Sequence, residues 1–214
     1  VSTTSGPRVL HGLRQQLAKS DISNRANMCL SDFIAPAEAD VNDHIGMFAV
    51  TAGIEEDAHA VRFADDGDDY SSIMLKALAD RLAEAFAEYA AYVVRTEIWG
   101  YSPGEDDDPQ RLIAEDYRGI RPAPGYPAQP DHSEKATIID IIGAHDSLQM
   151  TLTESWAMQP ASSVCGLYLA HPSATYFGVG RILRDQVESY AQRKGITTAD
   201  AERLLAPNLA YDPG

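Results

Sequence analysis

The chain of 214 residues is 44% hydrophobic and 23% charged, which is ordinary for a globular protein of one large or two small domains. Its formal net charge of −15 disfavours binding to nucleic acid and to anionic membranes, so we expect neither as a partner. No apolar run approaches the roughly 20 residues that span a bilayer, and the first residues do not resemble a signal peptide.

The sequence contains two cysteines, Cys29 and Cys165. Neither has a neighbour at metal-ligand spacing, and buried free thiols are typical of proteins in a reducing compartment. We therefore predict a cytoplasmic protein. The first residue is valine, so the chain could be a piece of a longer polypeptide.

The first predicted elements are short. Val9–Leu13 is a candidate strand, and the apolar segment Cys29–Ile34 ends before Pro36. The near-continuous apolar run Ile45–Ala52 predicts a buried strand. Glu55–Ala64 follows as a predicted helix, because acidic residues in a first turn favour a helix N-terminus.

The longest predicted element is a helix from about Asp69 to Ile98, because its composition of Ala, Leu, Glu and Lys favours a helix throughout. Its apolar residues recur every three or four positions, the pattern of an amphipathic helix, and we expect them to face the core. These residues are Leu75, Leu78, Leu82, Ala85, Phe86, Tyr89 and Val93.

Capping signals predict two further helices. The dipeptide Asp108-Pro109 is a favourable start for a short helix that runs to about Tyr117. Asp131, with Glu134 three residues later, resembles a capping box for a second helix that ends at Gly143.

Three apolar segments in the last third of the chain predict strands. They are Thr151–Met158, Val164–Ala170 and Thr175–Ile182. A turn at His171-Pro172-Ser173 would join the last two strands as a hairpin, and two helices follow, capped by Asp185 and by Thr197 or Thr198. Because strands and helices do not alternate as βαβ units, we predict an α+β fold with a largely antiparallel sheet.

The most distinctive stretch is the loop from Gly119 to Lys135, which reads GIRPAPGYPAQPDHSEK. Its prolines stiffen the backbone and remove N–H donors, and Gly125 is free to adopt a positive φ. A loop of this kind presents a few groups in fixed geometry. Arg121 would then clamp a carboxylate or phosphate, and Tyr126 would stack or form a hydrogen bond. The alternative is a structural proline-rich connector.

Other groups could meet the far end of such a ligand. Glu84 in the long helix and Glu115 before the loop could receive an ammonium or sulfonium charge, although helical glutamates are more often solvated. The pair Tyr176-Phe177 could form the floor of a pocket or belong to the core. The sequence has no GxGxxG, P-loop, HExxH, CxxC or GxSxG motif, and its six histidines form no spaced metal set. We therefore predict no catalytic side chain and no metal site.

Several stretches are shared with one family and together cover most of the chain from Leu30 onward. They are LSDFIAP, DDYSSIMLKALADRLAEAFAEY, GIRPAPGYPAQPDHSEKATI, SATYFGVG, DQVESYAQRKG and LAPNLAYD. The chain resembles the C-terminal activation (reactivation) domain of cobalamin-dependent methionine synthase. That resemblance implies a C-shaped α+β domain around a bent, largely antiparallel sheet flanked by helices. Residues 1–28 would be an N-terminal lead-in and residues 29–214 the S-adenosylmethionine-binding domain.

The resemblance also implies a function. The parent enzyme, 5-methyltetrahydrofolate–homocysteine methyltransferase, uses cobalamin, and its activation domain binds S-adenosylmethionine for the reductive methylation of oxidised cobalamin to methylcobalamin. A neighbouring cobalamin-binding domain would hold the cobalamin, and a flavodoxin-like or diflavin reductase would supply electrons. The isolated chain is not expected to be a complete catalyst. The alternative is a free-standing, non-catalytic module that docks to a corrinoid protein or its reductase, or that senses S-adenosylmethionine.

The family's RxxxGY motif falls within the proline-rich loop. On this resemblance Arg121 holds S-adenosylmethionine, Ala123 and Gly125 supply backbone contacts, and Tyr126 faces the ligand or the corrin. The family domain is longer at its N-terminus, where an Asp-Trp-Thr-Pro-Phe-Phe segment also contacts the ligand. That segment has no counterpart in this sequence.

The remaining site residues of the family match positions outside the loop. Tyr176 and Phe177 correspond to an aromatic pair beside the adenosine, and Glu84 and Glu115 to acidic residues near the methionine end of the ligand. The chemistry agrees, because an arginine suits a carboxylate and acidic groups suit an ammonium or a sulfonium.

Overall fold

A computed structural model describes residues 1–3, 6–18 and 26–213 and shows short antiparallel strands among helices. The predicted α+β class and the antiparallel pairing are confirmed, with the pairing divided among two-stranded sheets. In chain order the elements are β1 (Ser2–Thr3), β2 (Gly6–Pro7), β3 (Gly46–Thr51), α1 (Glu56–Asp65), α2 (Asp69–Val93), α3 (Pro109–Ile113), α4 (Glu134–Ile142), α5 (Ala144–Leu148), β4 (Thr151–Leu152), β5 (Met158–Gln159), β6 (Ser163–Tyr168), α6 (Arg184–Lys194) and α7 (Thr198–Leu204). A π-helical turn, Val94–Ile98, continues α2, and 3-10 turns lie at Leu30–Phe33 and Ala206–Asn208.

The central sheet is the antiparallel pair β3–β6, which confirms the strands predicted at Ile45–Ala52 and Val164–Ala170. Successive side chains of a strand point to opposite faces, so the pair presents two apolar surfaces. Phe48 and its neighbours pack with α2 on one face. Leu167 packs with Ile138 of α4 on the other face. Helices therefore cover both faces of the strand pair.

Helix α2 begins at Asp69 as predicted and ends at Val93, the π-helical turn carries it on to the predicted end at Ile98, and it buries a different face from the one predicted. Its buried residues are Ala79, Ala83, Ala87 and Ala91, spaced by four. The large residues of the predicted core stripe point outward: Leu82 is 62% exposed, Phe86 50% and Tyr89 62%. The prediction that the large apolar residues face the core is wrong, because alanines at the same helical period let α2 approach the strand pair more closely.

The strand predictions at Val9–Leu13 and Thr151–Met158 are wrong. Val9–Leu13 forms no strand. The segment Thr151–Met158 is not one strand, since only its ends pair, as β4 and β5. Between them Trp156 adopts a positive φ of 65°, and its N–H donates to the carbonyl of Thr153, which turns the chain.

The segment Thr175–Ile182 is extended but is not a strand, so the predicted hairpin with a turn at His171-Pro172-Ser173 does not form. Its backbone pairs at single points with separate segments. The N–H of Val179 donates to the carbonyl of Pro127 at 2.8 Å, and the N–H of Ile182 donates to the carbonyl of Asn208 at 2.8 Å. These partners are not consecutive, so no ladder develops.

The helix-start predictions had mixed outcomes. Asp108 accepts a hydrogen bond from the N–H of Gln110 as expected, but α3 ends at Ile113 rather than near Tyr117. Thr197 caps α7 and accepts from the N–H of Asp200.

Two capping predictions are wrong. The N-cap of α4 is Ser133, and Asp131 accepts from the N–H of Ser133 rather than from the helix proper. Helix α6 begins after Leu183, and Asp185 lies in its first turn instead of at its cap. In both cases the acidic residue still favours the N-terminal end of the helix dipole.

A larger core lies around α6 and α7. Val187 and Tyr190 of α6 pack with Ala201 and Leu205, and the core extends to Phe177 next to the proline-rich loop. Cys29 and Cys165 are both buried and free, as predicted for structural thiols.

Candidate ligand-binding site

A cavity of about 510 Å³ is lined by residues of α2, the β3–β6 pair and the proline-rich loop. Its volume falls in the range of small-molecule sites. Seven of the eight residues predicted to contact a ligand line it. They are Glu84, Glu115, Arg121, Ala123, Tyr126, Tyr176 and Phe177. Phe48 and Val164 add apolar wall from the two central strands.

The eighth predicted residue, Gly125, lines an adjoining cavity of about 290 Å³ that shares Glu84, Ala123 and Tyr126 with the first. Its φ of +95° favours glycine. An added Cβ would lie 2.2 Å from the ring of His132, so the turn and the ring are in direct contact. A glycine is therefore required at this position for two independent reasons.

Backbone hydrogen bonds hold the loop against its neighbours. The carbonyl of Pro122 accepts from the N–H of Leu167 on β6 at 2.8 Å, and Ile120 and Leu169 exchange hydrogen bonds of 3.0 Å. The carbonyl of Pro127 accepts from Val179. The loop is thus attached at both sides of Arg121.

A buried ionic cluster fixes the end of the loop to α6. Lys194 donates to Asp131 at 2.7 Å, to Ser133 at 2.8 Å and to Glu134. Tyr190 donates its hydroxyl proton to Asp131 at 2.6 Å. Because Asp131 and Glu134 are each only 1% exposed, this cluster depends on every partner being present.

The guanidinium of Arg121 is paired with a residue that the sequence did not single out, Glu88. Nε and Nη2 of Arg121 donate to the same Glu88 oxygen, Oε2, at 3.1 and 2.9 Å. The side chains are 19% and 20% exposed, so the pair is largely shielded from water. Burial alone would lower the pKa of Arg121, but Glu88 and then Tyr117 outweigh it and raise the pKa, so the guanidinium stays charged.

Aromatic hydroxyls surround the arginine. The N–H of Arg121 donates to the hydroxyl oxygen of Tyr176 at 3.1 Å, which ties the loop to the opposite wall of the cavity. Burial is the main cause that raises the pKa of Tyr176 and of Tyr117, so both phenols stay neutral. Arg95 stacks on the ring of Tyr117 at 3.6 Å from its centroid.

Arg95 in turn forms a buried ion pair with Glu105 behind the site. Nη2 of Arg95 lies 2.7 Å from Oε1 of Glu105, and the side chains are 3% and 8% exposed. Arg95 belongs to the π-helical turn that follows α2, and such turns are frequent near functional sites. The turn therefore places the guanidinium of Arg95 on the ring of Tyr117.

The predicted residues differ in their access to water. Phe177 is only 8% exposed, whereas Tyr176 is 39% and Tyr126 is 59% exposed. Glu84 and Glu115 are both exposed at the rim. Glu115 has a φ of 54°, a left-handed conformation that is uncommon for a residue other than glycine. The cavity thus has an aromatic floor, a charged rim and an exposed tyrosine at its mouth.

Within residues 1–3, 6–18 and 26–213, no group of three or more His, Cys, Asp or Glu side chains could hold a metal ion. Over the same ranges, no helix has the length and apolar character needed to cross a bilayer.

Comparison with known proteins gives the family. Residues 2–195 match the family model described as the vitamin B12 dependent methionine synthase, activation domain. The chain belongs to this family. The resemblance inferred from the sequence motifs is therefore confirmed, and so is the assignment of the chain as an activation domain.

A solved structure similar to this activation domain is described as the crystal structure of the MetH reactivation domain bound to AdoHcy. The two sequences are 54% identical, and the structures superpose with a TM-score of 0.92 over 97% of this chain. This chain spans 63% of the length of that chain.

Sequence reasoning missed two residues of the candidate site, Glu88 and His132. Glu88 lies one helical turn after Glu84, but its partner Arg121 is on the loop, so no spacing within the sequence pairs the two. His132 lies inside the loop that was singled out, but nothing in the sequence places its ring under Gly125.

Proposed function

We propose that this activation domain binds S-adenosylmethionine in the 510 Å³ cavity and supports the reductive methylation of cobalamin in a cobalamin-dependent methionine synthase. The observation that carries the proposal is the convergence of Arg121, two acidic residues and two aromatic residues on one cavity. The solved relative with AdoHcy supports the ligand class, because AdoHcy is S-adenosylmethionine without its transferable methyl group.

Arg121 would hold the carboxylate of the ligand. Its contacts with Glu88 use Nε and Nη2, so Nη1 is not engaged in that pair. A guanidinium that is already oriented by an internal carboxylate loses little side-chain freedom when it binds a second one. Glu88 would therefore act as a positioning residue for Arg121.

Glu84 and Glu115 would meet the ammonium and the sulfonium of the ligand. Both are on the rim of the same cavity as Arg121, and each carries a charge opposite to that end of the ligand. Two carboxylates against two positive groups favour the sulfonium form over its neutral thioether product. This asymmetry would help the product leave after methyl transfer.

The adenosine would lie against Tyr176 and Phe177, while Ala123 and Gly125 offer backbone close to the ligand. Phe177 is buried and can provide an apolar surface for the adenine. Tyr126 is more than half exposed at the mouth, where it would face the ligand or the corrin.

S-adenosylmethionine and cobalamin together supply the methyl group and its acceptor, so the protein needs no catalytic side chain. The residues of this chain would orient the sulfonium and exclude water from it. The corrin would be held mainly by the cobalamin-binding domain of the parent enzyme, and the isolated chain would not be a complete catalyst. A flavodoxin-like or diflavin reductase would supply electrons in the cytoplasm.

Two further assignments belong to the same proposal. We place the boundary between an N-terminal lead-in and the S-adenosylmethionine-binding domain between residues 28 and 29.

Helix α2 has an exposed apolar side that includes Leu82, Phe86 and Tyr89. An exposed apolar surface of this kind supports the proposal that the domain docks to partner proteins. The same surface favours the second candidate, a non-catalytic docking module.

Isothermal titration tests the ligand assignment. S-adenosylmethionine is titrated into the wild-type chain, the Arg121→Ala variant and an Arg62→Ala control, which removes an exposed arginine of α1 outside the cavity. We expect Arg121→Ala to weaken binding by at least about tenfold, because it removes a charge-assisted hydrogen bond. Equal binding by wild type and Arg121→Ala would contradict the site, and no binding by the wild type would favour the docking module.

A further inference from the structure

His132 and Lys135 form a pair beside the Gly125 turn of the cavity. Nζ of Lys135 lies 2.8 Å from Nδ1 of His132 and donates to the carbonyl of Trp156 at 3.0 Å. Lys135 is only 8% exposed. Over the described residues, no carboxylate forms an ion pair with it. A buried ammonium is therefore held by an imidazole and a carbonyl alone.

This contact fixes the state of the imidazole. An ammonium group can donate hydrogen bonds but cannot accept them. While Lys135 carries its charge, Nδ1 of His132 must be the acceptor. The imidazole is then neutral, with its proton on Nε2.

The ring in turn supports the backbone of the turn. An added Cβ on Gly125 would come within 2.2 to 2.7 Å of three atoms of the His132 ring. On its other side, the N–H of Gly125 donates to the carbonyl of Gln129 at 2.7 Å. The turn that carries Tyr126 is thus held between a hydrogen bond and the imidazole ring.

We propose that His132, held by Lys135, is a positioning residue for the ligand cavity, and that protonation of His132 releases the Gly125–Tyr126 turn. A proton on Nδ1 removes the acceptor and places two positive charges 2.8 Å apart. The two side chains then separate, and the ring leaves the backbone that it supports. The proposal rests on the proposed function only for the ligand used in its binding test.

The surroundings of His132 keep its imidazole neutral at pH 7. Burial and the charge of Lys135 lower the pKa of His132, and Asp131 opposes them. His132 lines the cavity of about 290 Å³ and also a larger one of about 1380 Å³, and the titratable and charged groups of both come from several neighbouring elements. Besides Lys135 they are Glu84 on α2, Cys165 on β6, Glu154 between β4 and β5, the paired Glu134 and Lys194, Asp200 and Arg203 on α7, and His11 and Tyr126. Burial raises the pKa of Cys165 to about 11, so the thiol adds no charge.

The experiment compares the wild type with His132→Asn and His132→Gln between pH 5 and 7.5. Asparagine can present an oxygen near the position of Nδ1 without titrating, whereas glutamine cannot. His145→Asn, which changes an exposed histidine of α5, is the matched control. Each protein is titrated with S-adenosylmethionine and with S-adenosylhomocysteine, and the amide signals of Gly125 and Tyr126 are followed by NMR without ligand.

For the wild type and His145→Asn we expect binding to weaken by up to about tenfold per pH unit below the pKa of His132. His132→Asn should bind within about threefold of wild type at pH 7.5 and show a flat profile, and His132→Gln should bind more weakly at every pH. Both ligands should lose affinity alike, since the effect acts through the turn. A loss confined to the sulfonium ligand would instead indicate direct charge repulsion and overturn the proposal.

The NMR measurement separates this inference from the proposed function. If S-adenosylmethionine does not bind the wild type at any pH, the proposed function fails, while the amide signals still report the turn. The proposal predicts that the Gly125 and Tyr126 signals shift with the His132 titration in the wild type and not in His132→Asn. Signals that are insensitive to pH in the wild type would contradict it.

Discussion

Arg121 and Glu88 are joined through two nitrogens and one oxygen, at 3.1 and 2.9 Å, across the boundary between the proline-rich loop and α2. The other carboxylate oxygen of Glu88, Oε1, is buried and has no hydrogen-bond partner among the residues that the structure describes. The pair therefore connects the loop to the helix that carries Glu84, and it orients the guanidinium before any ligand arrives.

Glu88→Gln is expected to lower the free energy of unfolding by about 1–3 kcal/mol, because it leaves a largely buried guanidinium without its counter-charge. Urea unfolding at pH 7 measures the effect. Asp57→Asn breaks an exposed ion pair with Lys76 and serves as the control, with an expected loss below about 1 kcal/mol. Similar losses in the two variants would contradict the role given to Glu88.

The buried pair Arg95–Glu105 predicts strong coupling. Glu105→Gln should cost about 3 kcal/mol or more, since Arg95 would remain buried and unpaired against Tyr117. The double replacement Arg95→Met with Glu105→Met should cost less than the sum of the single changes, as shown by a double-mutant cycle in urea. Additive losses would mean that the two side chains do not act as a pair.

The packing of α2 predicts opposite effects from two neighbouring positions. Ala83→Leu should destabilise the fold by about 1–3 kcal/mol, because Ala83 is 1% exposed and a larger side chain would force α2 away from the strand pair. Leu82→Ala should change stability by less than about 1 kcal/mol, because Leu82 is 62% exposed. Thermal or urea unfolding measures the loss of stability in the two variants. A larger loss in Leu82→Ala than in Ala83→Leu would indicate that α2 buries the face predicted from the sequence.

Asp131 predicts a pH dependence of stability. Burial alone would raise the pKa of Asp131, but its hydrogen bonds with Lys194, Tyr190 and Ser133 outweigh burial and lower the pKa. Between the lowered folded pKa and the unfolded value of about 3.9, the unfolded chain binds more protons, so the free energy of unfolding rises with pH. The contribution is present above the unfolded pKa and is lost as the pH falls through the folded pKa.

Asp131→Asn should therefore make the free energy of unfolding depend less on pH at acidic pH. Urea unfolding between pH 3 and 5 should show a slope smaller by up to about 1.4 kcal/mol per pH unit than in the wild type. Asp146→Asn, an exposed change on α5, should keep the wild-type slope. An unchanged slope in Asp131→Asn would contradict the ionic cluster as the origin of the effect.

The sequence predicted local features well where the signal was local. The start of α2, the caps at Asp108 and Thr197, and the two central strands follow from periodicity, capping chemistry and apolar runs. The loop was recognised as a rigid presenting segment because prolines and Gly125 restrict the backbone by themselves. Each of these features is decided by residues close in the chain.

The wrong predictions concern features that depend on contacts between residues far apart in the sequence. Leu82 and Ala83 belong to two helical stripes of the same period, and only the position of the strand pair determines which stripe is buried. Thr175–Ile182 has the composition of a strand, but its N–H groups find partners on unrelated segments such as Pro127. The pairing of Glu88 with Arg121 likewise joins two separate elements, so the sequence around neither residue indicates it.

The central claim is that S-adenosylmethionine occupies the cavity with its carboxylate at Arg121. A crystal structure of this chain grown with S-adenosylhomocysteine tests it most directly. The claim predicts density in the 510 Å³ cavity, with the ligand carboxylate at the guanidinium of Arg121 and the adenine against Tyr176 and Phe177. A ligand bound elsewhere, or one turned so that its carboxylate faces Glu84 or Glu115, would contradict the claim.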